Sequence, residues 1–216
     1  MLISQQKKIL FVHIQKTGGV SITSLLKSEI ADLQPFMGMH DHAAWAKPYL
    51  DDWADYYKFA FVRNPWARLV SWYAMMSRNQ AQFPWHKRLT MRNRRRSRMH
   101  DYVEQNSNSF EEFIYNCTDV IEDRDGKKSF AYNQADYIAD SSGKLLVDFV
   151  GRNERFAQDA EKICQTLGLE SVSVPHHNKS PHKHYSQYYS DSTRDVVAQR
   201  FAKDIEMFDY HFDDKR

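Results

Sequence analysis

The sequence predicts an α/β fold in which a central parallel sheet carries helices on both faces. Three short apolar runs indicate buried strands, namely Lys8–Ile14, Tyr57–Val62 and Leu145–Val150. Nearly continuous apolar strands are typical of parallel sheets, because both faces of such sheets are covered. Segments with helical spacing separate the runs, and right-handed crossovers connect elements in this order. With 216 residues, we expect a single domain over residues 1–216.

The first two strands each open a strand–loop–helix unit. After the first strand, Gln15–Gly19 forms a glycine turn, and Val20–Ile30 carries apolar residues at helical spacing. After the second strand, Asn64 stands as a helix N-cap and Pro65 as the first helical residue, which is the expected start signal. Such units open many α/β domains that bind nucleotides.

The rest of the chain predicts three more helices and two polar segments. We expect helices at Phe110–Asn116, at about Glu154–Leu167 and at about Ser192–Met207. We expect Gln80–Asn108 to be irregular or weakly helical, and Val174–Tyr189 to be a loop rich in polar side chains.

Composition excludes several classes of protein. Hydrophobic residues make up 42% of the chain, which indicates a folded globule rather than a disordered chain. The longest apolar runs, such as Ile9–Ile14, fall short of the ~20 residues that span a bilayer, and no signal peptide is evident. Cys117 and Cys164 indicate two reduced thiols rather than a disulfide framework. We therefore expect a cytoplasmic protein without a transmembrane segment.

The turn after the first strand has the residues of an anion-binding loop. A loop between a buried strand and a helix aims backbone N–H groups and the positive helix end at one point. Gly18 and Gly19 let the backbone close around an anion. Lys16 adds a positive charge, and Thr17 and Ser21 add hydroxyl donors. An ordinary strand–helix turn with an exposed lysine is the alternative.

The order of residues in this loop differs from that of the Walker A motif. Lys16 precedes the glycines instead of following the second one, and no acidic strand end nearby supplies an evident Mg²⁺ ligand. The loop therefore predicts an anion that the protein neutralises without a metal.

A second candidate anion site follows the second strand. Arg63 stands at the carboxyl end of that strand, where ligands bind in open α/β sheets, and its planar guanidinium suits a phosphate. Ser71 lies about two turns into the next helix, so it faces the same anion only if that helix packs alongside this edge. Arg68 is more ambiguous, and we interpret it as a structural ion-pair partner rather than a ligand of the anion. A capping arginine and an ordinary helical serine are the alternative interpretation of Arg63 and Ser71.

These two motifs resemble those of a known enzyme family. His13–Ser21 resembles the loop that binds the 5′-phosphosulfate in the carbohydrate sulfotransferases. It is especially similar to the branch that contains the heparan sulfate 2-O- and 6-O-sulfotransferases and small bacterial relatives. The 3′-phosphate motif of that family, R-[ND]-P-x-x-R-x-x-S-x-Y, resembles Arg63–Tyr73. The resemblance implies a P-loop-NTPase-like sulfotransferase fold. It also implies 3′-phosphoadenosine-5′-phosphosulfate (PAPS) as co-substrate, its bisphosphate PAP as product, and no metal.

The resemblance further implies roles for individual residues. Lys16 would contact the bridging oxygen and the 5′-phosphate of PAPS and stabilise the departing phosphate. Val20 stands where the family usually has threonine, which removes one hydroxyl contact to the donor. Asn178–Ser180 is similar to a loop late in the family's sequences that closes over the nucleotide. The donor-binding residues implied are Lys16, Thr17, Gly18, Gly19, Val20, Ser21, Arg63, Ser71, Lys179 and Ser180.

Sulfuryl transfer to a hydroxyl also needs a base. The reaction is an in-line displacement in which positioning and charge stabilisation supply most of the catalysis. Histidine suits the base because its reference pKa of ~6.5 lies near the working pH. The glycan sulfotransferases carry their catalytic histidine between the two phosphate motifs, in segments similar to His40–Trp45. The resemblance favours His42 as the base with His40 as the alternate, whereas His13 lies inside a strand and is interpreted as a core residue.

A basic segment follows the second motif. Between Lys87 and Arg98 there are basic residues and no acidic one, which favours contact with a polyanion or with nucleotide phosphates. A solvated loop is an equally good interpretation. We interpret the segment as part of a cleft for an anionic or neutral glycan acceptor. Its basic residues are Lys87, Arg88, Arg92, Arg94, Arg95, Arg96 and Arg98.

Two other function classes stay open at this point. A nucleotide kinase or related NTPase would use a similar strand–loop–helix unit, but the loop lacks the Walker order. A nucleic-acid-binding module would explain the arginine run but not the two separate phosphate motifs. We therefore expect no nucleic acid partner.

Overall fold

The computed structural model describes residues 1–77, 98–119, 129–169 and 183–213. The chain divides into two compact units. The first unit comprises Met1–Asn64 and Asn133–Ser180, and the second comprises Pro65–Tyr132 and Pro181–Arg216. The prediction that residues 1–216 form one domain stays a prediction.

The first unit contains a mixed sheet whose strands lie in the order β3-β1-β2-β4-β5. The strands are β1 (Leu2–Ser4), β2 (Ile9–Val12), β3 (Gln34–Pro35), β4 (Tyr57–Val62) and β5 (Phe149–Arg152). β2, β4 and β5 run parallel to one another, and β1 pairs antiparallel with both β2 and β3. The predicted α/β class is confirmed, but the sheet is mixed rather than wholly parallel.

The two antiparallel strands account for that difference. β1 has three residues and β3 has two, so neither is long enough to show the alternation by which a strand is identified in a sequence. The turn Gln5–Lys8 joins β1 to β2, and a connection this short places the two strands side by side in opposite directions.

The helices are numbered in chain order through both units. They are α1 (Gly19–Glu29), α2 (Ala43–Ala46), α3 (Pro65–Met76), α4 (Arg98–Asn106), α5 (Phe110–Cys117), α6 (Ala135–Ile138), α7 (Phe156–Thr166), α8 (Asp191–Arg200) and α9 (Ala202–Phe208). Short 3-10 turns lie at Lys47–Tyr49, Trp53–Asp55, Ser129–Ala131, Asn153–Arg155 and Tyr185–Tyr188.

The core of the first unit lies between the sheet and helices α1 and α7. Phe11 of β2 stacks on Phe59 of β4 with their ring centroids 5.1 Å apart. Leu26 of α1 and Ile163 of α7 belong to the same buried cluster. Successive strand residues point to opposite faces, yet Leu10, Val12, Ala60 and Val62 on the other face are fully buried as well. Burial on both faces is what the continuous apolar runs predicted.

The second unit is helical in the part that the structure describes. Its core gathers aromatic and aliphatic side chains of α3, α5 and α8, including Trp66, Phe113 and Val197. Arg200 at the end of α8 donates to the Thr118 hydroxyl at 2.8 Å, beside the last turn of α5. A capping box of Ser190 and Thr193 starts α8.

Some predicted boundaries move in the structure. β5 begins at Phe149 rather than Leu145, because Leu145 forms an isolated bridge with Ala139 and the Leu146 N–H donates to Ile138 O at 2.8 Å. The predicted last helix is two helices that meet at Phe201. Of the segment Gln80–Asn108, the described part is helix α4 with its end, and the remainder lies outside the described residues.

Among the helices that the structure describes, none combines the length and the apolar composition that a membrane crossing requires.

Candidate functional site

Three connections follow the parallel strands at one edge of the sheet. β2 leads to the turn Gln15–Gly18, β4 leads to Arg63 and Asn64, and β5 leads to the 3-10 turn Asn153–Arg155. The carboxyl ends of parallel strands share an edge, and ligands of open α/β sheets bind there. The first two connections are the candidate anion sites of the sequence.

The turn after β2, which we call the lysine loop (Gln15–Gly18), has an unusual backbone. Lys16 has a φ of 69°, in the left-handed region, and Gly18 follows with a φ of 93° as the N-cap of α1. The Thr17 hydroxyl donates to Ile14 O at 2.9 Å. Because a hydroxyl has one proton to donate, this bond uses it within the loop. We therefore expect Thr17 to offer an anion its backbone N–H rather than the predicted hydroxyl donor.

The two glycines are required by close packing beneath the loop. A Cβ atom on Gly18 would lie 2.7 Å from the Phe156 ring, and a Cβ atom on Gly19 would lie 2.0 Å from the His13 ring. The sequence predicted these glycines because they let the backbone close around an anion. The structure adds a second reason, since the start of α1 lies directly on one ring from α7 and one ring from the end of β2.

The Arg63 side chain reaches the lysine loop. Its guanidinium Nη1 donates to Lys16 O at 3.5 Å. The backbone of Arg63 is held by Gln134, whose amide accepts from the Arg63 N–H at 2.8 Å and donates to the Arg63 carbonyl at 2.7 Å. The next N–H along the chain, that of Asn64, donates to Glu154 at 2.7 Å. Arg63 and Lys16, one residue from each candidate anion motif, thus meet within the first unit.

His42, the favoured base, lies close to the lysine loop. It is the N-cap residue of α2, and its ring stacks on Trp45 with centroids 4.1 Å apart. Its ring also contacts Tyr137 of α6, at a centroid distance of 4.5 Å. The Tyr137 hydroxyl in turn donates to Gln15 Oε1 at 2.9 Å. One tyrosine therefore connects the candidate base to the start of the loop.

His40, the alternate base, is oriented by a backbone carbonyl. Its Nδ1 lies 2.8 Å from His13 O. A carbonyl oxygen accepts but cannot donate, so this bond selects the tautomer that carries its proton on Nδ1. Nε2 of His40 then holds the lone pair, which is the arrangement a base requires.

His13 is a core residue, as the sequence predicted. Burial lowers the pKa of His13 from 6.5 to about 3, and the nearby His40 acts in the same direction. The imidazole is therefore neutral near pH 7 and packs as a ring against Phe11, with centroids 5.5 Å apart.

The other predicted site residues lie in several places. Val20 is 58% exposed at the second position of α1, whereas Ser21 is buried. Ser71 and Arg68 belong to the second unit and are buried there, and the Arg68 guanidinium donates to Tyr132 O at 2.9 Å. Arg98 begins α4. The predicted residues outside the described ranges are Lys87, Arg88, Arg92, Arg94, Arg95, Arg96, Lys179 and Ser180.

Sequence reasoning missed Gln134, Tyr137 and Glu154. Each contacts one of the motifs through a hydrogen bond from a distant part of the chain. No local pattern marks their contacts, although Glu154 stands at the start of a predicted helix. Among the described residues, no group of three His, Cys, Asp or Glu side chains is placed to hold a metal ion.

Comparison with known proteins gives one match. A family model described as "Sulfotransferase family" matches residues 1–211, and so extends through both units. No curated protein and no solved structure matches the chain significantly.

The buried His13 predicts a loss of stability in acid. The unfolded chain takes up this proton near pH 6.5 and the folded chain only near pH 3, so the free energy of unfolding falls as the pH drops below 6.5. Between pH 7 and pH 5 this residue alone should remove about 2 kcal/mol. Urea denaturation of the native protein and of His13→Asn over this range should show the shallower decline in the variant. Parallel declines would contradict the assignment.

Proposed function

Since this chain belongs to the sulfotransferase family, we propose that it transfers a sulfuryl group from PAPS to a hydroxyl of a carbohydrate acceptor. The observation that carries the proposal is the contact of the Arg63 guanidinium with the carbonyl of Lys16. Two cationic residues from separate motifs thereby occupy one edge of the sheet. A nucleotide with phosphates on both its 3′ and 5′ sides is the ligand that such a pair suits.

In the proposed donor site the lysine loop and the start of α1 take the 5′-phosphosulfate. Lys16 supplies the charge, and the backbone from Thr17 to Val20 supplies N–H groups at a helix N-terminus, whereas the Ser21 N–H donates to Gly18 O at 3.0 Å. Arg63 takes the 3′-phosphate. The donor-binding roles of Ser71, Lys179 and Ser180 stay predictions from the sequence. The similarity to the heparan sulfate sulfotransferase branch also stays a prediction.

The proposed reaction is an in-line displacement at sulfur. The acceptor oxygen forms a bond to sulfur while the bond from sulfur to the 5′-phosphate oxygen breaks, and PAP departs. Lys16 stabilises the negative charge that grows on the departing phosphate. A histidine takes the proton of the attacking hydroxyl. His42 is the proposed base because of its place between the motifs, and the carbonyl-oriented His40 is the alternate.

The donor proposal is tested by calorimetric titration with PAP. The native protein should bind PAP more tightly than adenosine 5′-monophosphate, because only PAP offers a phosphate to Arg63. Lys16→Ala should weaken both ligands, and Arg63→Ala should weaken PAP alone. Val20→Thr, which restores the residue usual in the family, serves as the matched loop variant and should bind PAP at least as well as the native protein.

An unselective response would contradict the donor site. If the native protein binds both nucleotides equally, Arg63 does not hold a 3′-phosphate. If instead ATP with Mg²⁺ binds more tightly than PAP, the result favours the alternative of a nucleotide kinase or related NTPase over the proposed PAPS site.

The base is tested by turnover of labelled PAPS with a screened acceptor. His42→Ala should lower kcat by about 10²-fold to 10⁴-fold, the range that a general base contributes, and should leave PAP binding intact. His40→Ala is the matched control and should keep most of the rate. A large loss in His40→Ala together with a near-native rate in His42→Ala would assign the base to His40.

The acceptor proposal rests on the charge of the basic segment. Reversal of charge at Arg94, Arg95 and Arg96 should raise the KM of an anionic glycan acceptor far more than the KM of PAPS, because the segment would contact the acceptor. Steady-state kinetics in both substrates measure the two constants. Equal effects would place the segment against the nucleotide, and no effect would identify a solvated loop.

A further inference from the structure

We infer that Gln134 is a positioning residue, which holds the backbone of Arg63 so that its guanidinium is set for a 3′-phosphate. The inference rests on the proposed function, because it assigns a task to Arg63. It adds a residue that no sequence motif marks, and it explains why the arginine at this strand end reaches the lysine loop.

The Gln134 amide continues the hydrogen bonding of the sheet by one residue. The ladder between β4 and β5 ends with Val62 opposite Arg152, so Arg63 is the first residue beyond it. Gln134 accepts from the Arg63 N–H at 2.8 Å and donates to the Arg63 carbonyl at 2.7 Å. A side-chain amide carries the same donor and acceptor as a peptide group, and here it takes the place of a neighbouring strand.

Because Gln134 is buried, its side chain is held in the arrangement that makes both of these hydrogen bonds. Gln134 is fully buried, and a buried amide that loses its partners has been taken out of water without a hydrogen bond in return, which is unfavourable. The side chain therefore has one stable arrangement, with both of its polar ends on Arg63. Holding both the N–H and the carbonyl of one residue restricts its φ and ψ, and this fixes the direction in which the side chain leaves the backbone.

A fixed starting direction matters for a side chain as long as arginine. Ordering such a side chain on binding costs rotamer entropy, and preorganisation removes part of that cost. The guanidinium lies 3.5 Å from Lys16 O, so it is already placed at the lysine loop. Glu154 restrains the next residue by accepting from the Asn64 N–H at 2.7 Å. Two side chains thus hold the two residues that follow the strand.

The test compares two ligands in two backgrounds. Gln134→Met keeps the length of the side chain and removes both bonds. It should raise the Kd of PAP about tenfold, within the range of coupling between neighbouring residues, and leave the Kd of adenosine 5′-monophosphate unchanged. In the Arg63→Ala background the same change should have no further effect on PAP, because the residue through which Gln134 acts is gone.

A matched control separates positioning from general stability. Thr118→Val removes a buried hydroxyl of the second unit, which donates to Ile114 O and accepts from Arg200. This variant loses two hydrogen bonds, as Gln134→Met does, and should keep the preference for PAP. Thermal unfolding of each variant gives its stability. If Gln134→Met does not fold, Gln134→Asn replaces it, since its shorter amide reaches Arg63 less well and adds no charge that would itself repel the nucleotides.

The outcomes keep the two proposals apart. A native protein without preference for PAP would remove the proposed function itself. A native preference that survives in the Gln134 variant would overturn the inference alone. Equal weakening of both nucleotides, or a further loss of PAP affinity in the Arg63→Ala background, would also overturn it and leave Gln134 with a structural role.

Discussion

The parallel pairing of β2 with β4 is the constraint on which the candidate site depends. Their register sets Val12 opposite Ala60, so the two strands end within a few residues of each other at the same edge. The lysine loop and Arg63 are far apart in the sequence, and this pairing brings them to the same edge of the sheet. Any insertion that slipped the register would move the two cations relative to one another.

Side chains from the rest of the first unit then hold these strand ends. Below the start of α1, the rings of Phe156 and His13 leave room only for glycine at positions 18 and 19. Beside it, two residues of one short segment hold the strand ends. Gln134 donates to the Arg63 carbonyl, and Tyr137 of α6 donates to the Gln15 side chain. The site is therefore a set of backbone positions fixed by buried side chains, on which a few charged groups are carried.

The sequence predicted those elements of the fold that have a recognisable local sequence pattern. β4 has its predicted bounds and α3 begins at the predicted Pro65, because a buried strand and a proline at a helix start leave clear local signals. β1 and β3 are too short for a pattern. Gln134 could not be predicted for another reason: its hydrogen bonds join it to a residue 71 positions away, and no local spacing in the sequence encodes such a contact.

Lys16 shows why such support is needed. A left-handed backbone at a residue other than glycine costs about 1–2 kcal/mol, and glycine at this position would remove that cost together with the charge. The loop keeps the lysine, so its conformation must be stabilised by neighbours. The bond from the Thr17 hydroxyl to Ile14 O closes the turn, and the packing of Gly18 on Phe156 fixes its exit into α1. Within the lysine loop the strain thus lies at a residue whose side chain the proposed chemistry requires, and buried groups around it offset the cost.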